Sequence, residues 1–301
     1  MRTPPTSLHP SAALAWPPIA RFIRDEARLG AWAQRNGRLT LGLYEFVRFG
    51  VKQAWACLFG GLLLAAIIAT RLWYPHAALV ARYDLLVGVA VALQVALLAI
   101  RLETLDEFAA ILMFHIVGTV MELFKTSVGS WIYPEPSLLR IGGVPLFTGF
   151  MYAAIGSYLA RAWRLFDFRF ARHPPLKSVS LLAAMIYVNF FSHHYLPDLR
   201  LGLIAATALL FGRTTVYFRV WRRYRQMPLL LGFALVALFI WFAENIGTGM
   251  SVWRYPSQAH RWSMVPIGKL EAWFLLMIVS YTLVAFVSRP RERDGEVGDS
   301  R

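Results

Sequence analysis

The stretch MELFKTSVGSWIYP, residues 121–134, closes a long apolar run on a carboxylate, Glu122, and then on a Trp-x-Tyr-Pro turn. It returns as AENIGTGMSVWRYP at residues 243–256. At a shift of 122, Glu122 falls on Glu244, Thr126 on Thr248, Trp131 on Trp253, Tyr133 on Tyr255 and Pro134 on Pro256, five identities in thirteen positions. Val144-Pro145-Leu146 and Val265-Pro266-Ile267 then match at a shift of 121. Each unit reads as helix, carboxylate, aromatic turn and a helix begun at a proline, whose missing N–H would lack a partner in a first turn anyway. Duplication of one half accounts for this pattern. The alternative is convergence, with Trp and Tyr as an interfacial belt and Pro as a turn former.

The rest of the chain sets the class. Of 301 residues, 57% are hydrophobic and 16% charged, a balance that belongs to integral membrane proteins. The net charge of +14 does not point to nucleic acid, because the basic residues punctuate the apolar runs instead of gathering on one polar domain. Cys57 is the only cysteine, which excludes an intrachain disulfide and a Cys-based metal cluster. No Gly-x-x-x-x-Gly-Lys-[Ser/Thr] loop is present, which speaks against nucleotide hydrolysis.

A bilayer core of about 30 Å takes about 20 apolar residues per helix. Eight such runs predict eight spans: Ala54–Thr70, Tyr83–Ile100, Phe108–Phe124, Val144–Trp163, Val179–Tyr195, Leu199–Phe218, Pro228–Ile246 and Ile267–Val287. The short connections RLETLDE and LPD predict tight helical hairpins. The fold expected is therefore all-α, a polytopic bundle of spans 1–4 and 5–8 as parallel repeats about an axis along the membrane normal. Its expected domains are a basic leader over 1–52, a transmembrane domain over 53–288 with repeat units around 108–163 and 228–287, and a charged tail over 289–301. In the leader, Phe22, Ile23, Leu29, Trp32, Leu39, Leu43 and Phe46 alternate with arginines, as in a helix lying among lipid head groups. The alternative is a partly ordered basic segment. No cleavable signal is evident. In or beside alternate connections lie 23 of the 31 Lys and Arg residues, which places both termini in the cytoplasm and both Trp-x-Tyr-Pro loops outside.

A carboxylate at the end of a span faces the bundle or a watery cavity and has a partner there. Glu122 and Glu244 fit that rule. His115 lies seven residues before Glu122, on about the same helix face, and is either a proton-relay group or a core histidine. The run NFFSHHYLPD brings Asn189, His193, His194 and Asp198 to the level of the glutamates, with Asn189 and His193 on one face. Three readings are open for Glu122, Glu244 and His193: acid, base and relay of an enzyme, a polar path in a transporter, or ligands of zinc, iron or manganese. The chain lacks a dense ligand motif, so no metal is assigned, and no pattern fixes a cofactor. Lys125, Arg254, Arg261 and Lys269 are counter-ions, binders of an anionic head group, or surface charges. Trp131, Tyr133, Trp253 and Tyr255 would line the site. Asn245 adds a donor and acceptor that the first copy replaces by Leu123.

The motifs VGSWIYP, GVPLFTGFMYA, NFFSHH, FAENIGT and WRYP, in that order, resemble the uncharacterised bacterial multi-pass membrane proteins of the YoaT type over roughly residues 46 to 288. The resemblance implies a protein of the bacterial inner membrane and supplies no reaction. Glu122, Gly129, Tyr133 and Gly143-Val144-Pro145-Leu146 are also similar to a pattern in integral membrane carotenoid hydratases, from which the second copy departs at Met264. Three functions are consistent with all of this: an enzyme acting on a lipid or polyprenoid, a transporter or channel for a small solute, and an assembly protein that binds a partner. Membrane lipids and a hydrophobic small molecule are the expected partners.

Overall fold

The computed structural model describes residues 17–75 and 78–292. Ten helices fill most of these residues: α1 Pro17–Arg35, α2 Arg38–Ala56, α3 Leu58–Trp73, α4 Arg82–Ala99, α5 Leu105–Ser127, α6 Phe147–Phe166, α7 Leu176–Ser192, α8 Arg200–Phe211, α9 Leu229–Gly249 and α10 Gly268–Ser288. Five short strands join them, so the bundle is mostly and not wholly helical. β1 Arg140–Ile141 pairs with β2 Val144–Pro145, while β3 Arg169–Ala171, β4 Thr215–Arg219 and β5 Tyr224–Pro228 form an antiparallel sheet in the order β3-β4-β5.

The chain divides after Val51. In the first unit, Glu26 accepts hydrogen bonds from the Tyr44 hydroxyl and from Arg48, which ties α1 to α2. Leu29, Trp32, Leu39, Leu43 and Phe46 are exposed there. The side chains of Phe22 and Ile23 lie outside the described residues, as do leader residues 1–16 and tail residues 293–301.

From Lys52 onward, four helices are long and apolar enough to cross a membrane: α4, α5, α9 and α10. They become five if α2 and α3, interrupted at Cys57, count as one broken span. The eight expected spans are thus reduced to four or five by this measure. α3, α7 and α8 hold 16, 17 and 12 residues, and α6 carries Arg161 and Arg164. The run expected to continue to Phe218 leaves the helix at Phe211, because Thr-Val-Tyr-Phe is β-branched and aromatic and enters β4 instead. Large apolar side chains stay exposed in helical rows, Leu112, Ile116 and Val120 on α5 and Leu231, Leu235, Phe239 and Phe242 on α9. Such rows are compatible with a membrane protein and costly in water.

Local signals set the helix ends. Thr104 caps α5 by accepting from the Glu107 N–H while Glu107 accepts from the Thr104 N–H, a reciprocal capping box. Pro145 and Pro266 stand two residues before α6 and α10, not in their first turns. Their carbonyls accept from the Thr148 hydroxyl at 2.9 Å and the Lys269 N–H at 2.9 Å.

The hairpin expected at RLETLDE does not form as a packed pair, since α4 packs on α3 and α6 while α5 packs most extensively on α6. Glycine decides this. A Cβ on Gly118 would lie 2.4 Å from Cγ of Tyr152, and one on Gly156 would lie 2.6 Å from Cδ2 of Phe114, so each helix accepts the other's rings where it has no side chain. Gly118→Ala is expected to destabilise the protein by about 1–3 kcal/mol through overpacking, read as a lowered thermal midpoint in detergent.

Two apolar clusters result. One joins α6, α7, α8, α9 and α10 with β3 and β4 around Phe170, Phe211, Phe233 and Tyr281. The other packs α3 and α4 against both aromatic loops, with Tyr83, Trp131, Tyr133, Phe147, Trp241 and Tyr255 at its centre.

Candidate functional site

α5 and α9 end in the same turn. After α5, the N–H groups of Val128, Gly129 and Ser130 donate to the carbonyls of Phe124, Thr126 and Lys125 at 2.9 to 3.1 Å. After α9, those of Met250, Ser251 and Val252 donate to Ile246, Thr248 and Gly247 at 2.8 to 3.1 Å. Gly129 and Ser251, in matching positions, are left-handed at φ +72° and +56°. The two loops then meet. Ile132 and Arg254 exchange both backbone hydrogen bonds at 3.0 Å, an antiparallel bridge between residues 122 positions apart.

Behind the bridge each carboxylate sits in a cage of aromatic donors. Glu122, 3% exposed, accepts from the Trp131 indole at 2.7 Å, the Tyr133 hydroxyl at 2.5 Å and the Tyr152 hydroxyl at 2.8 Å. Glu244, 5% exposed, accepts from the Tyr255 hydroxyl and, at 2.7 Å, from the Trp273 indole. The cages touch: Trp131 meets Tyr255 edge-on with centroids 5.9 Å apart, and Tyr152 meets Trp273 at 6.3 Å. Burial and the neighbouring glutamates raise the Tyr133 and Tyr255 phenols well above their ordinary range, so both remain donors.

Trp253 does not reach Glu244. Its indole covers Gly247, where a Cβ would lie 2.3 Å from it. Asn245 instead binds the Trp241 carbonyl at 2.8 Å and the Val265 N–H at 2.9 Å, anchoring the segment that leads to α10. His115 lies apart, its ring 4.5 Å from that of Phe150 and its buried Nδ1 unpaired.

A second polar group forms where α7 ends. Lys125, 4% exposed, directs its ammonium at Nε2 of His194 at 2.8 Å and of His193 at 3.3 Å, and lies 4.2 Å from the Phe190 ring centroid. Nδ1 of His193 donates to the Asn189 carbonyl at 2.8 Å, which leaves Nε2 as the acceptor for the ammonium. Burial, then the charge of Lys125, lowers the His194 imidazole and keeps it neutral. Asn189 closes the turn to α8 by accepting from the Leu199 N–H at 3.0 Å and donating to Asp198 at 3.2 Å. Arg200 pairs with Asp198 at 3.1 Å and reaches Glu271 at 3.8 Å.

Lys125, Asn189, Phe190, His193 and Arg200 border a cavity of about 290 Å³ between α5, α7, α8 and α10. Trp131, Lys269 and Arg200 line it with Lys125, Asn189 and His193, and Ile186, Phe190, Leu275 and Leu276 form its apolar wall. Lys269 holds its ammonium 4.6 and 5.4 Å from the ring centroids of Tyr255 and Trp131, at the junction of cavity and cages. The glutamates are not among the lining residues. Among the described residues no three His, Cys, Asp or Glu side chains are placed to hold a metal ion. The carboxylate oxygens of Glu122 and Glu244 already face O–H and N–H donors, which a metal ion would have to displace.

Sequence reading missed three features. Tyr152 and Trp273 are 121 apart, in the same register as the Val-Pro pairs, and extending that alignment by seven residues finds them. Arg200 gave no signal beyond its charge. Glu103, 5% exposed, accepts from Arg161 at 2.6 Å, from the Ser157 hydroxyl at 2.7 Å and from Gln94, an ion pair inside the bundle.

The model of the protein family described as "Protein of unknown function (DUF817)" matches residues 45–281. The chain belongs to this family. It is 42% identical over 249 residues to "Uncharacterized protein YoaT" of Bacillus subtilis (strain 168), covering 83% of this chain and 94% of that one. No solved structure matches. The resemblance to YoaT-type proteins is thereby established over most of the chain, and the DUF817 match spans both caged glutamates and the α7 histidines.

Proposed function

We propose that the chain is a multi-pass protein of the cell membrane, built from two like and parallel halves, that admits a lipid-like molecule to the cavity beside Lys125. The cavity carries this reading: its wall is apolar, and its polar groups converge from four helices onto one end. Like halves are supported by the matched turns, the bridge between Ile132 and Arg254, and the matched cage donors Tyr152 and Trp273. α9 runs from the β3-β4-β5 sheet to the second aromatic loop, so the sheet, with Arg169, Arg219 and Arg225, lies at the opposite end from the loops. Basic residues remain on the cytoplasmic side, which supports a cytoplasmic position for the sheet; the same rule applied to the charges along the sequence favours cytoplasmic termini.

The glutamates then hold the halves together, with the aromatic layer between them, and the groups facing a ligand are Lys125, His193, Asn189 and Lys269. Any reaction on a lipid would begin from these. A long-chain lipid bearing a diazirine in its tail, photolysed with the protein in nanodiscs, is expected to label peptides containing Ile186–Phe190 and Ala272–Leu276. Labelling confined to other faces of the bundle would overturn the reading.

A further inference from the structure

We propose that the cavity binds an oxyanion, a carboxylate or phosphate, at the head of an apolar chain, with Lys125 and Lys269 as the groups that hold it. The inference rests on the lipid-site reading above and adds the charge of the ligand. Its first support is the state of Lys125. An ammonium at 4% exposure is costly unless paired, yet among the described residues no carboxylate lies within 4.0 Å of it. Two of its three donors face imidazole nitrogens and the third faces neither ring.

Lys269 is in a similar position. It has cation–π contacts with Tyr255 and Trp131 and no ion pair among the described residues. Glu244 and Glu122 act on it through space, but their oxygens are already bonded to the cage donors. The other charges here cancel locally, Arg200 against Asp198 and Glu271. What faces the cavity is therefore two ammonium groups without an ion pair and the paired Arg200 guanidinium, with a histidine and an asparagine beside them, a surface that attracts an anion.

The wall supplies the other half of the ligand. Ile186, Phe190 and His193 lie along one face of α7, and Ala272, Leu275 and Leu276 along one face of α10. From His193 to Ile186 the helix covers about 10 Å, the length of roughly eight methylene groups, and that path carries no further charge. A free inorganic anion would leave it unfilled.

The test is equilibrium binding of radiolabelled dodecyl phosphate to the full chain in neutral detergent, with unlabelled dodecanol and inorganic phosphate as competitors. Lys125→Met and Lys269→Met are each expected to weaken binding about tenfold or more, the effect of losing one close charge contact, while Arg261→Gln leaves it unchanged. Dodecanol should compete at least about tenfold less well, and inorganic phosphate should not compete. Lys269→Met keeps the test decisive if Lys125→Met fails to fold, as judged by its elution profile. Equal competition by dodecanol, with both variants unchanged, would overturn the anion while leaving the lipid site standing. No binding of either chain would overturn both. Inorganic phosphate competing as well as dodecyl phosphate would overturn the chain-bearing ligand.

Discussion

Glu122→Ala is expected to remove most of the protein's stability. It strands three buried donors, the Trp131 indole and the Tyr133 and Tyr152 hydroxyls, each costing about 1–3 kcal/mol when unsatisfied, so the loss is roughly 4 kcal/mol or more. Water cannot relieve it inside an apolar bundle. Glu122→Gln keeps the shape, and its carbonyl oxygen can retain the Trp131 and Tyr133 bonds. The Tyr152 hydroxyl then has to turn and accept from the new amide, so about 1–2 kcal/mol is expected. Glu244→Ala strands two donors and falls between. Intrinsic-fluorescence melts in detergent should rank the variants Glu122→Ala, Glu244→Ala, Glu122→Gln from most to least damaging. An unchanged midpoint for Glu122→Ala would show that the cage is not a structural element.

Arg161→Met and Glu103→Met are each expected to destabilise by about 3–5 kcal/mol, because removing one partner leaves the other charge buried without compensation. Both side chains are only 1% exposed, so solvent screening offers little discount. The double variant Arg161→Met, Glu103→Met should be less damaged than the sum of the two single changes, since it leaves neither charge behind. A double-mutant cycle on the same melts gives the coupling. Additive losses would mean that the pair does not act as one unit, and that Ser157 and Gln94 carry Glu103 without Arg161.

The two effects differ in how visible they were in the sequence. Glu122 and Glu244 stood out because a carboxylate closing an apolar run is rare and here occurs twice before the same Trp-x-Tyr-Pro turn. Tyr133 and Tyr255 were legible with them, since short loops return their side chains to the helix they have just left. Tyr152 and Trp273 donate from the following helices, and only the packing of α5 on α6 and of α9 on α10 brings them in. Trp253 shows the limit of reading copies as equal. In the first loop the indole bonds the carboxylate, whereas in the second Gly247 leaves room for the ring to lie on the helix backbone.

The sequence by itself determined a largely helical, apolar chain, the ends of α5 and α9 to within three residues, the doubled aromatic turn and the resemblance to YoaT-type proteins. These follow from composition, local turn chemistry and spacing, which act over a few residues and are written in order along the chain. Tertiary structure decided the rest. It shortened α8 in favour of β4, paired α5 with α6 instead of α4, and enclosed the glutamates in donors while leaving Lys125 and Lys269 at the cavity. The physical reason is shared: a buried charge takes its role from the partners that packing delivers, and those partners stand 9 to 69 residues away in the chain.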